Sequence, residues 1–289
     1  MRRSVDLNSH MNETVVRGHP ADFPVSLEPV FHMRNDGQKG IPARRAIVRQ
    51  DTGEAIAVVS DRYTLVPHMR ILELVEQAIR PLDVGPVPRG IYVDRQGARM
   101  RAIFKFPALA SPVAGNDEIC PCLQVRNTYD GTARIAVHIG AFRFVCTNLA
   151  VGGGGAFAGG FVSIHAGEIP IETMADQLAQ YLTRFDQIVE LYRQWSCRRA
   201  EMSVLSSMFE ESLEMKPVAL WDEILERSPA TVFDAYNIMT DFATHRTRSC
   251  QRAFDLLERV NGAFQRAFPV SEGMSVEDLP AVQPVQAFS

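Results

Sequence analysis

The sequence lacks any apolar run long enough to cross a membrane. No window of its 289 residues approaches the roughly 20 consecutive apolar residues that a transmembrane helix needs. The first thirty residues also lack the apolar stretch of a signal peptide. We therefore expect a cytoplasmic protein that makes no membrane contact and is large enough to bury a sizeable core.

Cysteine is scarce as well. Five cysteines, an odd number, are spread along the chain. This is unlike the paired framework of a small secreted protein, so we expect reduced thiols. Cys120 and Cys122 form the one close pair, and no further ligands follow at a comparable spacing, so we predict no metal site.

Catalytic signatures are also missing. Cys146, with His138 or His165 as a base and Asp130 to orient it, has the residue types of a cysteine hydrolase. It follows a strongly apolar strand, however, where a buried and inert thiol is usual. The glycine run at 152–155 lacks the Lys-Ser/Thr pair that completes a phosphate-binding P-loop. We predict no catalytic residue and no cofactor, and a hydrolase built on Cys146 is our third hypothesis.

Lysine is almost absent, and arginine supplies most of the positive charge. The chain has 27 arginines and 3 lysines. Arginine suits bidentate contacts to phosphate, although a GC-rich genome produces the same bias without any function. The net charge of −4 argues against a protein that is basic throughout. Residues 40–150 nevertheless hold 14 Lys and Arg against 10 Asp and Glu, a local charge of +4, whereas the remainder holds 16 against 24, a charge of −8.

Three pairs of extended runs in this basic part predict β-hairpins. Their turns lie at residues 51–53, 94–97 and 130–131, and each contains an aspartate and a glycine, a strong turn signal. Apolar residues at helical spacing follow the first hairpin and end before Pro81. These patterns predict an α+β fold in which an antiparallel sheet packs against one helix.

The pattern becomes helical after the glycine run and stays so to about residue 268. It predicts a helical C-terminal half behind the sheet. We expect a partly disordered N-terminal arm at 1–40, a β-rich core domain at 41–168, a helical region at 169–268 and a flexible tail at 269–289.

The run at 99–106 alternates between cationic and apolar residues. Arg99, Arg101 and Lys105 share one parity, and Met100 and Phe104 share the other. The strand therefore has one face for the core and one cationic face, which is also how an ordinary solvated antiparallel sheet looks. The following strands can add Arg126, Arg134 and Arg143 to the cationic face if their register allows it.

Four stretches together resemble a known family. They are AIVRQDTGEAIAVVSDRYTLVPH at 46–68, VRNTYDGTARIAVHIGAFRFVCTN at 125–148, SIHAG at 163–167 and YNIMTDFATHR at 236–246. They are similar to the phage- and plasmid-like domain-of-unknown-function family numbered 932. Members are carried by phages, plasmids and integrated mobile elements, and the family has no settled catalytic residues. Its β-β-α-β-β core is distantly similar to single-strand annealing proteins, a likeness of fold that does not fix function.

The resemblance and the cationic strand together lead to our main hypothesis. We expect a mobile-element protein that binds single-stranded DNA, promotes strand annealing in recombination, and assembles into a ring or filament of identical copies. Phosphate contacts and base stacking need cations and aromatic residues. The candidate binding residues are Arg45, Arg49, Arg62, Tyr63, Arg99, Arg101, Lys105, Arg126, Tyr129, Arg134 and Arg143, with Tyr92 as a further stacking candidate. The alternative hypothesis is a non-enzymatic interaction protein, such as an inhibitor of a host defence factor, whose acidic helical half binds the partner.

Overall fold

The computed structural model describes residues 20–35, 37–94, 96–115, 117–143, 149–151, 159–163, 171–213, 226, 231–246 and 250–269. Several predictions from the sequence concern residues outside this set. They are Cys146, the nucleophile of the hydrolase hypothesis, the glycine run at 152–155, parts of the helical region at 169–268, and the tail that follows residue 269.

The described residues form ten strands and five α-helices. The strands are β1 Val25–Arg34, β2 Gly37–Arg49, β3 Ala55–Ser60, β4 Arg89–Val93, β5 Arg99–Lys105, β6 Ser111–Ala114, β7 Asp117–Thr128, β8 Ile135–Arg143, β9 Leu149–Val151 and β10 Gly159–Ser163. The helices are α1 His68–Ile79, α2 Ile171–Cys197, α3 Met202–Leu213, α4 Val232–Asp241 and α5 Cys250–Ala267. A 3₁₀ turn, Pro107–Leu109, and a π-helical turn, Phe242–Arg246, complete the described elements.

The predicted α+β architecture is confirmed. All strand pairs among the described residues are antiparallel, and helices make up the C-terminal half. The three hairpins form at the predicted turns, as β2–β3, β4–β5 and β7–β8. The single predicted helix after the first hairpin is α1, which ends before Pro81.

The strands divide into two sheets instead of the one predicted. A three-stranded sheet has the order β1-β2-β3, and a seven-stranded sheet has the order β10-β8-β7-β5-β4, with β6 on β7 and β9 on β8. Turn signals specify which strands form hairpins, but they do not specify whether neighbouring hairpins share an edge. Here α1 follows β3 in the chain, and β4 begins a separate sheet.

Two strands lie within the second half of the predicted N-terminal arm at 1–40. Residues 25–34 form β1, and β2 begins at Gly37 and pairs with it. Strand β1 contains Pro29, in keeping with the confinement of proline within sheets to edge strands, strand starts and bulges. The small sheet packs on the rest of the protein through Ile47 and Val59, which contact Phe23 and Tyr129 in one buried cluster.

The main core lies on one face of the seven-stranded sheet. This face, which we call the core face, carries apolar residues that alternate along β5, β7 and β8. Helices α1 and α2 contribute to the same buried cluster. Helix α1 does so with Ile71, Val75, Ala78 and Ile79, which belong to the apolar stripe expected from its sequence, and with Leu72.

One strand position along β8 is filled by two separate strands. Leu149 to Val151 pair with Phe142 to Gly140, and Gly159 then pairs with Ile139, the next residue along β8. Strands β9 and β10 therefore occupy consecutive positions along the same outer edge of β8.

Two turn glycines share a backbone conformation but differ in how closely other atoms surround them. Gly97 and Gly53 have nearly the same left-handed backbone, with φ of 76° and 73°. A Cβ on Gly97 would lie 2.8 Å from the Phe23 ring, whereas one on Gly53 would meet nothing within 4 Å. We expect Gly53→Ala to lower the free energy of unfolding by about 1 kcal/mol and Gly97→Ala to lower it by about 1–3 kcal/mol more. Urea denaturation of both variants tests this, and equal losses would contradict it.

Candidate nucleic-acid interface

The second face of the seven-stranded sheet carries the predicted cations, and we call it the cationic face. Arg99, Arg101 and Lys105 alternate with the buried Met100, Ala102 and Phe104 along β5. The predicted alternation of this strand is therefore present in the structure.

Three neighbouring strands align Tyr92, Arg101 and Arg126 in one row across this face. Tyr92 on β4 is the register partner of Arg101 on β5, and Arg101 is the partner of Arg126 on β7. Directly opposed residues in antiparallel strands point to the same side of the sheet. We call these three residues the cationic row. Tyr92 at its edge is 41% exposed, whereas Arg126 is nearly buried.

Two more arginines flank the row towards the β7–β8 turn. Arg99 is 57% exposed and its Nε donates to Oδ2 of Asp130 at 2.7 Å. Arg134 is exposed, and its backbone carbonyl accepts from Nε of Arg126 at 3.3 Å. Burial tends to raise the pKa of Asp130, but hydrogen bonds from Thr132 and Arg99 outweigh it and lower the pKa. Asp130 therefore stays ionised and holds Arg99 in place.

A second row, on the other side of Arg101 and Arg126, contains buried polar side chains. Gln124 on β7 pairs in register with His138 on β8, and both are almost completely buried. Oε1 of Gln124 accepts from Nη2 of Arg101 at 3.4 Å. Burial, and then the charge of Arg126, lower the pKa of His138 to about 4. The histidine is therefore neutral at physiological pH, and the row's positive charge comes from its arginines.

The far end of the cationic face is covered by the C-terminal helices. Ala243 in the π-helical turn and Leu257 in α5 pack on Ile103, Cys120, Cys122 and Phe142. Lys105 lies in this covered end, where its Nζ is 3.7 Å from the centre of the Phe142 ring. Burial lowers the pKa of Lys105 and raises that of the Cys120 thiol to about 11. Lys105 is therefore half-buried against a ring and is poorly placed for a phosphate contact.

Two predicted binding residues lie elsewhere. Arg143 pairs in register with Ile119, which places it on the core face, where Asp117 accepts hydrogen bonds from its Nε at 2.6 and 2.7 Å. Tyr129 is fully buried, and burial raises its pKa to about 12. Tyr129, predicted as a stacking residue, therefore offers no exposed ring to a base, and Arg143 does not belong to the cationic face.

The remaining candidates lie on or beside the small sheet. Arg45 is exposed on β2, and Arg62 is exposed after β3. Arg49 stacks over the Phe23 ring at 4.0 Å and pairs with Asp51. Of these residues, none is placed in the cationic row.

Tyr63 connects the loop after β3 to the end of β7. Its hydroxyl donates to the carbonyl of Thr128 at 3.0 Å, and Thr128 is the register partner of Arg99. Tyr63 therefore lies at the flank of the cationic row, but its side chain is committed to a structural hydrogen bond.

A buried histidine brings two of the four sequence stretches together. His68 stacks on the Tyr129 ring at a centroid distance of 4.0 Å, and its backbone N–H donates to the Tyr129 hydroxyl at 2.8 Å. Nδ2 of Asn127 donates to Nδ1 of His68 at 2.9 Å, which leaves Nε2 as the donor to the Gly97 carbonyl at 3.1 Å. We call His68, Asn127 and Tyr129 the histidine cluster. Its role is to hold the start of α1 against the end of β7.

A family model described as a domain of unknown function, DUF932, matches residues 55–266. The chain belongs to this family. No curated protein and no solved structure matches the chain.

The DUF932 match includes both the cationic row and the histidine cluster, and it begins at Ala55, the first residue of β3. Strands β1 and β2 therefore lie outside the matched region. Among the described residues of this DUF932 protein, no helix is long and apolar enough to cross a membrane, and no group of His, Cys, Asp and Glu could hold a metal ion.

Sequence reasoning did not place Gln124 or His138 beside the cationic row, and it considered His138 only as a base for Cys146. The alternation of Cys122, Gln124 and Arg126 with Leu123 and Val125 was a usable signal, because it places Gln124 on the cationic face. The position of His138 beside Gln124 depends on the β7–β8 register, which the sequence does not specify.

The lowered pKa of His138 predicts that the folded protein becomes less stable in acid. Below an ordinary histidine pKa of about 6.5 the unfolded chain takes up a proton that the folded protein does not. The free energy of unfolding should therefore fall as the pH drops from about 6.5 towards 4, by an amount on the order of 3 kcal/mol.

Denaturation at several pH values, in the protein and in His138→Gln, measures this contribution. The variant should have a shallower slope in this pH window, whatever its absolute stability. An NMR titration in which His138 changes charge near pH 6.5 would contradict the prediction.

Proposed function

We propose that this DUF932 protein binds single-stranded DNA across the cationic row and promotes the annealing of complementary strands, as a protein of a phage or plasmid element. The observation that supports the proposal is the register of β4, β5 and β7, which aligns an exposed tyrosine with two arginines. Arg99 and Arg134 add two exposed cations beside them.

The residue types favour a single strand over a duplex. Guanidinium groups contact phosphates without reading sequence, and an exposed ring needs an unstacked base as its partner. No base-reading helix or loop is required, and neither is a cofactor. Such sequence-independent contact is the kind of binding that strand annealing needs.

A single protomer offers only a short site. A row across three strands spans about 10 Å, which accommodates few phosphates, and affinity for DNA grows with the number of phosphates neutralised. We therefore include self-association in the proposal: identical copies in a ring or filament repeat the row along one strand, and their weak contacts add through multivalency.

The alternative function, a non-enzymatic interaction protein such as an inhibitor of a host defence factor, is favoured by a different observation. Of the six large hydrophobic residues that are most exposed among the described residues, five lie on the small sheet. Exposed apolar surface of this kind marks protein contacts. An interaction protein would bind neither single- nor double-stranded DNA.

Neutralising the two flanking arginines tests the main proposal. We expect Arg99→Gln with Arg134→Gln to weaken binding to a single-stranded oligonucleotide at least tenfold at low salt. The loss of two phosphate contacts should also lower the salt slope by about 1.4. Fluorescence polarisation across a salt series measures both quantities, with a duplex of the same sequence for comparison.

The matched control is Arg80→Gln with Arg266→Gln, which removes the same charge from two exposed arginines near the ends of helices. The control should bind like the parent. Equal losses in both double variants, or equal affinity of the parent for single and double strands, would count against a specific single-strand site.

Tyr92 tests the stacking part of the proposal. We expect Tyr92→Ala to lose about 1–3 kcal/mol of single-strand affinity, since that is the usual contribution of one stacked base, and Tyr92→Phe to keep most of it because the ring remains. Annealing of two labelled complementary strands, followed by fluorescence energy transfer, should slow in the alanine variant only. Unchanged annealing in Tyr92→Ala would show that Tyr92 takes no part in DNA binding.

A further inference from the structure

The small sheet exposes more apolar surface than any other described part of the chain. Phe31 is 50% exposed and Met33 is 77% exposed on β1, and Leu27 on the same strand is 38% exposed. Soluble proteins seldom leave such residues together in water unless they meet a partner.

Strand β1 also has an open edge. It pairs with β2 on one side, and no other described strand pairs with its outer side. The register shift between Pro29 and Phe31 places the extra residues in β2, where six residues from Gly40 to Arg45 face three from Pro29 to Phe31. Strand β1 itself runs without interruption for ten residues. An open edge of this length is a template for pairing with another strand.

We propose that the outer edge of β1 pairs antiparallel with β1 of a second copy of this chain, about a two-fold axis at Val30. The pairing joins two three-stranded sheets into one sheet of six strands. A two-fold interface uses the same surface on both copies, so the strand must be complementary to itself. The sequence of β1 satisfies this condition on both faces.

On one face the pairing buries the exposed apolar residues against each other. With Val30 on the axis, Leu27 lies opposite Met33 of the partner subunit, and Pro29 lies opposite Phe31 of the partner subunit. Each pair occurs twice, so the face becomes continuously apolar across the junction. Cross-strand apolar pairs of this kind are the main source of stability in a sheet.

On the other face the same register places a carboxylate opposite an imidazole. Glu28 lies opposite the partner's His32, and Val30 meets its own copy. A like-charged pair does not occur, and the overlap covers residues 26–34 of a strand that spans Val25–Arg34. Pro29 lacks one N–H donor, so it removes at most one hydrogen bond per strand, in keeping with the edge positions where proline is found in sheets.

This interface deepens the self-association included in the proposed function, but it forms without nucleic acid. It uses residues outside the DUF932 match, which begins at Ala55. The cationic row lies on the other sheet, so the interface leaves it uncovered.

Disulfide cross-linking tests the register. In a Cys197→Ser background, which removes an exposed thiol, Val30→Cys places two sulfurs opposite each other on the axis. The Cα atoms of directly opposed residues are about 4.5–5.5 Å apart, within disulfide range. We expect mild oxidation without DNA to convert most of this variant to a covalent dimer on a non-reducing gel.

Met33→Cys in the same background is the matched control. Met33 is the more exposed residue, but its two copies lie about 20 Å apart in this register, so it should cross-link far less than Val30→Cys. A mixture of Met33→Cys and Leu27→Cys should link across the junction. Equal cross-linking of Val30→Cys and Met33→Cys would mean random collision and would overturn the proposal.

Sedimentation provides an independent measurement. We expect the parent protein to be a dimer or a larger even assembly, and Leu27→Glu with Met33→Glu to shift it to smaller species, because the two new carboxylates face each other across the junction. A monomeric parent, or a double variant that keeps its assembly state, would overturn the interface. Loss of DNA binding in the Arg99, Arg134 and Tyr92 variants would leave this result unchanged, so the two proposals fail separately.

Discussion

The stacking of His68 on Tyr129 is the contact on which the described fold most depends. It joins the start of α1 to the end of β7, while the Gly97 carbonyl and the Phe23 ring connect the same histidine to the β4–β5 turn and to the small sheet. The arrangement requires a neutral imidazole, because Nδ1 must accept from Asn127. The ring is fully buried and neutral, and both of its nitrogens are hydrogen-bonded. It therefore holds the start of α1, the end of β7, the β4–β5 turn and the segment around Phe23 in one arrangement.

This buried cluster also determines where the surface charge lies. Asn127 and Tyr129 flank Thr128, whose carbonyl accepts from Tyr63 and whose register partner is Arg99. The backbone that presents Arg99 to solvent is therefore held from beneath by groups that carry no charge. Binding residues on a rigid strand lose little entropy when a ligand orders them.

Much of the fold was predictable because its signals are local. Aspartate–glycine turns identified three hairpins, and alternation along 99–106 identified the cationic strand. The long-range features were not predictable in the same way. The face occupied by Arg143 depends on the β7–β8 register, and Tyr129 is buried although it stands beside an Asp-Gly turn that signals a surface loop. The covering of Lys105 depends on helices more than a hundred residues away.

The consecutive positions of β9 and β10 on the edge of β8 have a consequence for how the chain can vary. Val151 and Gly159 face consecutive residues of β8, Gly140 and Ile139, so the two ends of the segment between them are already adjacent in the sheet. The entropy of closing a chain segment between adjacent ends grows only slowly with the length of the segment. This position is therefore a natural insertion point, at which a DUF932 chain can accept or lose residues, or carry a fused reporter, while the ladder on both sides keeps its register.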